Sequence, residues 1–240
     1  MVLAVSCGLA FLSETCTLTW KGRSSKALNN NIVILLIIYL SIFAGLRTHY
    51  NDTFTYMSSY KAMAAFPDIL SGFSWKLGDN PGFILLNSLM KASGFRAQTF
   101  VLFYSSLFTA SAITFLKRYS ENFTLSIFLF ICAHGYLFSL AAIKQCASIA
   151  IGLMALPYAL DHKWPQFAAI ILLASTFHPY ILLYALIPLL HFKPWSRMTR
   201  VMLALTVVAG LTLPVSSVRS STQQHCWVTG IMLRNLSARE

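Results

Sequence analysis

The sequence predicts an all-α, polytopic integral membrane protein, and three observations carry that expectation. Of the 240 residues 57% are hydrophobic and only 10% charged, at a mean hydropathy of +0.65, whereas a soluble domain is about 25% charged. The apolar residues fall in long continuous runs, as in Ile32–Leu46 and Phe123–Ala142; runs of roughly this length cross a bilayer core of about 30 Å as helix. They do not alternate with period two, which sets aside the other spanning architecture, a β-barrel. The order of the runs gives about seven to eight transmembrane helices, a long outer loop and an interfacial helix. Residues 1–216 read as one polytopic membrane domain and 217–240 as a polar tail, disordered or an aberrant C-terminus.

The net charge of +11 comes from Lys and Arg scattered through short loops. That is how topology signals are distributed, with cytoplasmic loops rich in Lys and Arg, so nucleic acid is not the expected partner. Cys7, Cys16, Cys132, Cys146 and Cys226 show no CxxC spacing and read as small core residues. Met1–Ala10 has no basic region ahead of its apolar run, so a cleaved signal peptide is not expected.

In chain order, Val2–Trp20 forms a first helix and Lys21, Arg23 and Lys26 follow on the cytoplasmic side. Asn31–Leu46 then leads outward and delivers Arg47 to the outer face. The loop from there to Asn80 is long for a helix connection, as functional loops are. Asn80–Phe95 is short and interrupted by Asn87, Ser88 and Lys91, and reads as an amphipathic helix in the interface. Gln98–Leu116 returns inward to Lys117-Arg118. Phe123–Ala142 goes out to Ile143-Lys144-Gln145, and Cys146–Leu160, kinked near Pro157, comes back in. Gln166–Leu190 is broken at His178-Pro179. A hairpin turning at His178 keeps Lys193, Arg197 and Arg200 inside, although legs of 12 to 14 residues reach only about 20 Å. Val201–Leu213 begins a last helix.

This topology gathers Arg47, Lys144 and His178 at the outer face, with Asp52 and several tyrosines near them. Two fixed cations and an imidazole suit a reaction in which a pyrophosphate leaves and an alcohol attacks. The cations stabilise charge on the phosphates, and the imidazole accepts the hydroxyl proton near neutral pH. No DxD carboxylate pair occurs in the outer segments, so no metal or other cofactor is expected and the cations stand in for Mg²⁺. Each residue also has a plainer reading. Arg47 and Lys144 end helices, where cations snorkel to the interface. His178 could satisfy a carbonyl freed by Pro179, Asp52 before Thr53 is a natural helix N-cap, and Tyr50, Tyr56 and Tyr60 fit an aromatic belt as well as a sugar platform.

The order Gly45-Leu46-Arg47, then Asp52-Thr53 with Tyr56, then Ile143-Lys144-Gln145-Cys146-Ala147, then Ala174-Ser175-Thr176-Phe177-His178 resembles the EpsG family of Wzy-like polysaccharide polymerases, over Ile32 to Leu190. The resemblance implies a multi-pass enzyme of the bacterial inner membrane. Such an enzyme joins undecaprenyl-pyrophosphate-linked repeat units into exopolysaccharide, capsule or O-antigen on the periplasmic or outer side. It implies a lipid-linked oligosaccharide substrate, and a chain-length regulator and a flippase as partners of the same pathway. Residue by residue it implies Arg47 and His178 in catalysis, with Lys144, Asp52, Tyr56 and Gln145 binding substrate. Lys144 stands where arginine is usual in the family, and the chain is short, as an inactive truncated form would be. A lipid-linked oligosaccharide transporter and a non-catalytic scaffold of a polysaccharide assembly are the alternatives.

Overall fold

The computed structural model describes residues 1–15, 19–20, 23–24 and 26–191, and positions 197, 200, 201, 203–205 and 207. Cys16, Cys226, the polar tail and most of the expected last helix lie outside these residues. The helices are α1 (Val2–Thr15), α2 (Lys26–Gly45), α3 (Thr53–Ala62), α4 (Pro81–Ala92), α5 (Ala97–Tyr119), α6 (Phe123–Cys132), α7 (Gly135–Ala141), α8 (Ile143–Leu160) and α9 (Trp164–Ser175). Asp68–Gly72, Leu77–Asp79 and Pro179–His191 are 3-10 segments, and Thr19–Trp20 pairs antiparallel with Arg23–Ser24. The chain divides into two compact units, Met1–Ala185 and Leu186–Glu240. In the second, the described residues are the end of the 3-10 segment and scattered helical positions.

Within the first unit α5 is the hub, packing on α2, α3, α6, α7 and α8. It contributes to each of three hydrophobic clusters. Ile113 joins Leu36, Leu40 and Ile127; Phe100, Val101 and Tyr104 join Tyr60, Phe83 and Phe177; Phe108 and Ala112 join Cys146 and Ala150. Between bilayer helices apolar burial gains little over lipid contact, so close packing and buried hydrogen bonds decide the assembly. Small residues permit that packing. Ala147, Ala150, Ala155 and Ala159 on α8 are all fully buried, and a Cβ on Gly45 of α2 would fall 2.4 Å from the Leu102 side chain of α5.

Local sequence explains the helix limits. Asn80 takes a left-handed conformation (φ 57°) and Pro81 opens α4, where its missing N–H costs nothing. Asn122 Oδ1 accepts from Leu125 N at 2.8 Å and caps α6. Lys117 and Arg118 occupy the last turn of α5, where cations favour the helix dipole.

By length and composition α5 and α8 are able to cross a membrane; α6 with α7, bent by 47°, is a third candidate, as one broken span or a re-entrant loop. The count of seven or eight rests also on shorter apolar helices, α1, Asn29–Gly45, α9 and Pro179–Pro188. The twelve residues of α9 rise only about 18 Å.

Three expectations change. The run Phe123–Ala142 is two helices, because His134 adopts a positive φ of 64° and Gly135 lies so close to Phe130 that a Cβ would meet it at 2.8 Å. Cys132 is exposed rather than a core residue, while Cys146 is buried. The polar residues of α4, the segment read as an interfacial helix, face the protein rather than a wet surface. Phe83, Asn87, Ser88 and Met90 are buried, Asn87 accepts from Tyr104 OH at 2.9 Å, and Lys91 donates to the carbonyls of Lys61 and Met63.

The chain does reverse at His178. Ser148 of α8 donates to Ala174 O, and beyond the turn Ile181 and Tyr184 lie against Gly152, one turn further along α8. The two legs therefore run along α8 in opposite directions.

Candidate functional site

Five helix ends meet at one end of the bundle. Gln98, at the start of α5, donates to Gly45 O (2.5 Å) and Arg47 O (3.2 Å) beyond α2. Arg47 reaches Ser139 of α7. Ser148, near the start of α8, donates to Ala174 O at 2.9 Å and His178 O at 3.2 Å, at the end of α9. The motifs around Arg47, Lys144 and His178, far apart in sequence, are thus brought together.

Arg47 lies half-buried with its guanidinium turned into the protein. Nε donates to Thr53 Oγ1 at 3.1 Å, Nη1 to Ala44 O and to Ser105 Oγ at 2.8 Å, and Nη2 to Ser139 O at 3.2 Å. An interfacial anchor would extend to lipid headgroups instead, so that plain reading does not hold. The side chain ties the segment after α2 to α3, α5 and α7.

Lys144 is the opposite case. Its ammonium sits 5.5 Å from the Phe83 ring centroid and 5.8 Å from that of Tyr56, within cation–π range. Among the described residues it has no carboxylate partner and no hydrogen-bond acceptor; the described ion pair, Asp161–Lys163, lies at the far end of α8. It is not a solvated helix-end charge either, because two aromatic rings frame it.

His178 lies within the electrostatic influence of the Lys144 ammonium. Its Nδ1 accepts from Tyr180 N at 3.4 Å and its ring meets Tyr180 edge-on at 4.8 Å. Ser148 adds to Ala174 O and His178 O, which also accept from backbone amides at the turn, and among the described residues the imidazole bonds no carbonyl, so the structural reading offered by Pro179 does not account for the ring. Partial burial, and then the nearby Lys144 ammonium, hold the His178 pKa below its ordinary value, which keeps the ring neutral and basic at neutral pH.

Asp52 occupies the N-cap position of α3 but makes no side-chain cap hydrogen bond. Its carboxylate is exposed and acts electrostatically on Tyr56, one turn on. Burial, and then Asp52 and Cys146, push the Tyr56 phenol up to about 12, so Tyr56 is a neutral donor at neutral pH. Gln145 adjoins Lys144 and is half-buried, without a hydrogen bond among the described residues. The three tyrosines separate. Tyr50 is exposed, Tyr56 frames Lys144, and Tyr60 is a core residue, 3% exposed, bonded to Phe95 O at 2.9 Å and stacked on Phe100.

Sequence reasoning missed Phe83, which forms half of the Lys144 frame, and the contact that places it. Gly82 N donates to Thr176 O at 3.0 Å, and a Cβ on Gly82 would lie 2.1 Å from Thr176 Oγ1; only glycine lets α4 rest on the turn before His178. It also missed Ser105, Ser139 and Ser148, whose types carry no signal inside apolar helices.

The arrangement offers a cation without a counterion among the described residues, a neutral imidazole, an exposed carboxylate and a partly buried phenol, all at one end of a helical bundle. No curated protein and no solved structure matches the chain. The EpsG family model matches residues 30–224, well over half of the sequence, and the chain therefore belongs to the EpsG family of membrane proteins.

Proposed function

We propose that this chain is a polysaccharide polymerase of the bacterial inner membrane, acting on undecaprenyl-pyrophosphate-linked repeat units at the outer end of the bundle. The observation that carries the reading is Lys144. An ammonium framed by Tyr56 and Phe83 and lacking an anion among the described residues is costly to leave without one, and a pyrophosphate supplies it. Membership of the EpsG family supports a polysaccharide-polymerase type of membrane protein. The seven or eight spans follow if the shorter apolar helices also cross, the bilayer thinning around them.

In the reaction an acceptor hydroxyl of one lipid-linked unit attacks C1 of the sugar at the reducing end of the growing chain. The C1–O bond to the pyrophosphate breaks, and its electron pair leaves with undecaprenyl pyrophosphate. The hydroxyl proton passes to His178. The ring nitrogen open to it is Nε2, since Nδ1 faces the Tyr180 amide. To accept there, the neutral ring must carry its own proton on Nδ1 and give up that contact, which at 3.4 Å is longer than a normal hydrogen bond. Lys144 and the fixed charge of Arg47 stabilise the negative charge gathering on the phosphates. Asp52, Tyr56 and Gln145 orient the sugars through hydrogen bonds.

The test is the length profile of surface polysaccharide, read by gel, in cells lacking this chain and then resupplied with it. Loss of long chains with accumulation of single repeat units on lipid, restored by the 240-residue form, is the expected result. An unchanged profile rejects the polymerase and turns attention to a transporter or a scaffold.

A further inference from the structure

Resting on the polymerase reading, we propose that the two cations have different duties: Lys144 alone contacts the pyrophosphate, and Arg47 is a positioning residue that fixes α3 and so sets Asp52 and Tyr56 against Lys144.

The inference starts from donor counting. A guanidinium has five N–H donors in a rigid fork. In Arg47 four of them already meet protein acceptors: Thr53 Oγ1, Ala44 O, Ser105 Oγ and Ser139 O. A bidentate grip on phosphate needs two adjacent N–H groups, and Arg47 has a single donor left, on Nη2. Nor are its partners easily exchanged for an anion. Two are main-chain carbonyls, Thr53 is fully buried, and Ser105 is only 4% exposed.

What Arg47 holds is informative. Thr53 is the first residue of α3, Asp52 precedes it, and Tyr56 follows within one turn. Fixing Thr53 to Ser105 of α5 and to the end of α7 therefore sets the register of the helix that presents the Tyr56 ring to Lys144. Lys144, by contrast, keeps its three N–H donors available and reaches toward rings rather than acceptors. A lysine binds phosphate as a point charge, which is the mode this frame permits.

The experiment uses the full chain purified into lipid nanodiscs, with Arg47→Lys, Ser105→Ala, the double variant, and Lys144→Gln. Three quantities are measured: affinity for inorganic pyrophosphate by calorimetry, turnover of lipid-linked repeat units, and melting temperature. Lys144→Gln is expected to weaken pyrophosphate about tenfold or more, the scale of one charge-assisted contact. Arg47→Lys keeps the charge and loses the fork, so turnover drops about tenfold or more while pyrophosphate affinity stays within about threefold. The double variant is no worse than Arg47→Lys alone, because both remove the same contact. Wild-type turnover in Arg47→Lys overturns the proposal, as does equal loss of pyrophosphate affinity in Arg47→Lys and Lys144→Gln. If the wild-type chain neither binds pyrophosphate nor builds polymer, the polymerase reading and Lys144's share in it fall together. The clamp is then judged by melting temperature, where non-additive Arg47→Lys and Ser105→Ala effects uphold it and additive ones overturn it.

Discussion

Where α1 meets α6, Glu14 accepts from Phe123 N (2.5 Å), Thr124 N (3.2 Å) and Thr124 Oγ1 (2.5 Å), so its carboxylate closes the open N-terminus of α6. Lys117 nearby lies 4.6 Å from the Phe123 ring and donates to Ser13 Oγ at 3.4 Å. At the opposite end of the bundle Lys144 also lies against aromatic rings, yet neither its ammonium nor the Asp52 carboxylate has a hydrogen-bond or ion-pair partner among the described residues. The difference separates charge satisfied by the protein from charge left without a partner among the described residues. A cleft of about 400 Å³ opens beside Glu14, lined largely by Phe11, Leu125, Phe128 and Cys7. Its one charged lining residue is already satisfied by the protein, so the cleft is the less informative of the two places. Unsatisfied charge, rather than empty volume, marks the end where an anion is wanted.

The sharpest way to break this comparison is to remove one group from each end. His178→Ala is expected to lower polymer formation by about a hundredfold or more, the scale of general-base loss, at unchanged protein level in the membrane. Glu14→Gln should leave the polymer-length profile as it is. A Glu14→Gln variant that is present in normal amount but makes no polymer would erase the distinction. Next in size is Gly82→Ala. The added methyl collides with Thr176 and lifts α4 from the turn before His178, moving Phe83 away from Lys144. Because sub-ångström misplacement is costly, a loss of about ten- to a hundredfold in turnover is expected, measured per mole of purified protein. Recovery in the Gly82→Ala/Thr176→Gly pair would attribute the loss to that collision.

Stability effects are smaller. Tyr104→Phe strips the partner from buried Asn87, 1% exposed, and should cost about 1–3 kcal/mol in reversible unfolding from detergent. Glu14→Gln weakens a partly exposed cap and should cost about 1 kcal/mol or less. A larger loss at Glu14 than at Tyr104 would reverse the ranking.

The subtlest effect is on pH. In the proposed reaction His178 works as a base in its neutral form, and burial with Lys144 lowers its pKa from the ordinary 6.5. Activity should therefore persist as pH falls through 6.5 and be lost only on the acid side of it. A kinetic limb above pH 6.5 would show that a different group accepts the proton.

The helix breaks that matter to the site were readable because they are local. Gly45-Leu46-Arg47 ends an apolar run and His178-Pro179 interrupts another, so hydropathy and proline chemistry marked both. The break at His134 was harder to read, since a left-handed histidine before Gly135 leaves the hydropathy of Phe123–Ala142 unbroken. The packing of α4 was misread for a related reason. Its polar residues Asn87, Ser88 and Lys91 look like a wet face, and only Tyr104 and the carbonyls of Lys61 and Met63 turn them inward.

Composition and charge order by themselves determined that this is a helical membrane protein and which residues stand at its helix ends, because partition into lipid depends on what each segment contains. Whether a charge at such an end is satisfied depends on acceptors from elsewhere in the chain. Arg47 finds two of its four partners 58 and 92 residues away, in Ser105 and Ser139, and the Lys144 ammonium, among the described residues, meets the rings of Phe83 and Tyr56. No local pattern distinguishes two cations that each follow an apolar stretch. The tertiary structure alone decided that one is held by the protein and the other is open to an anion.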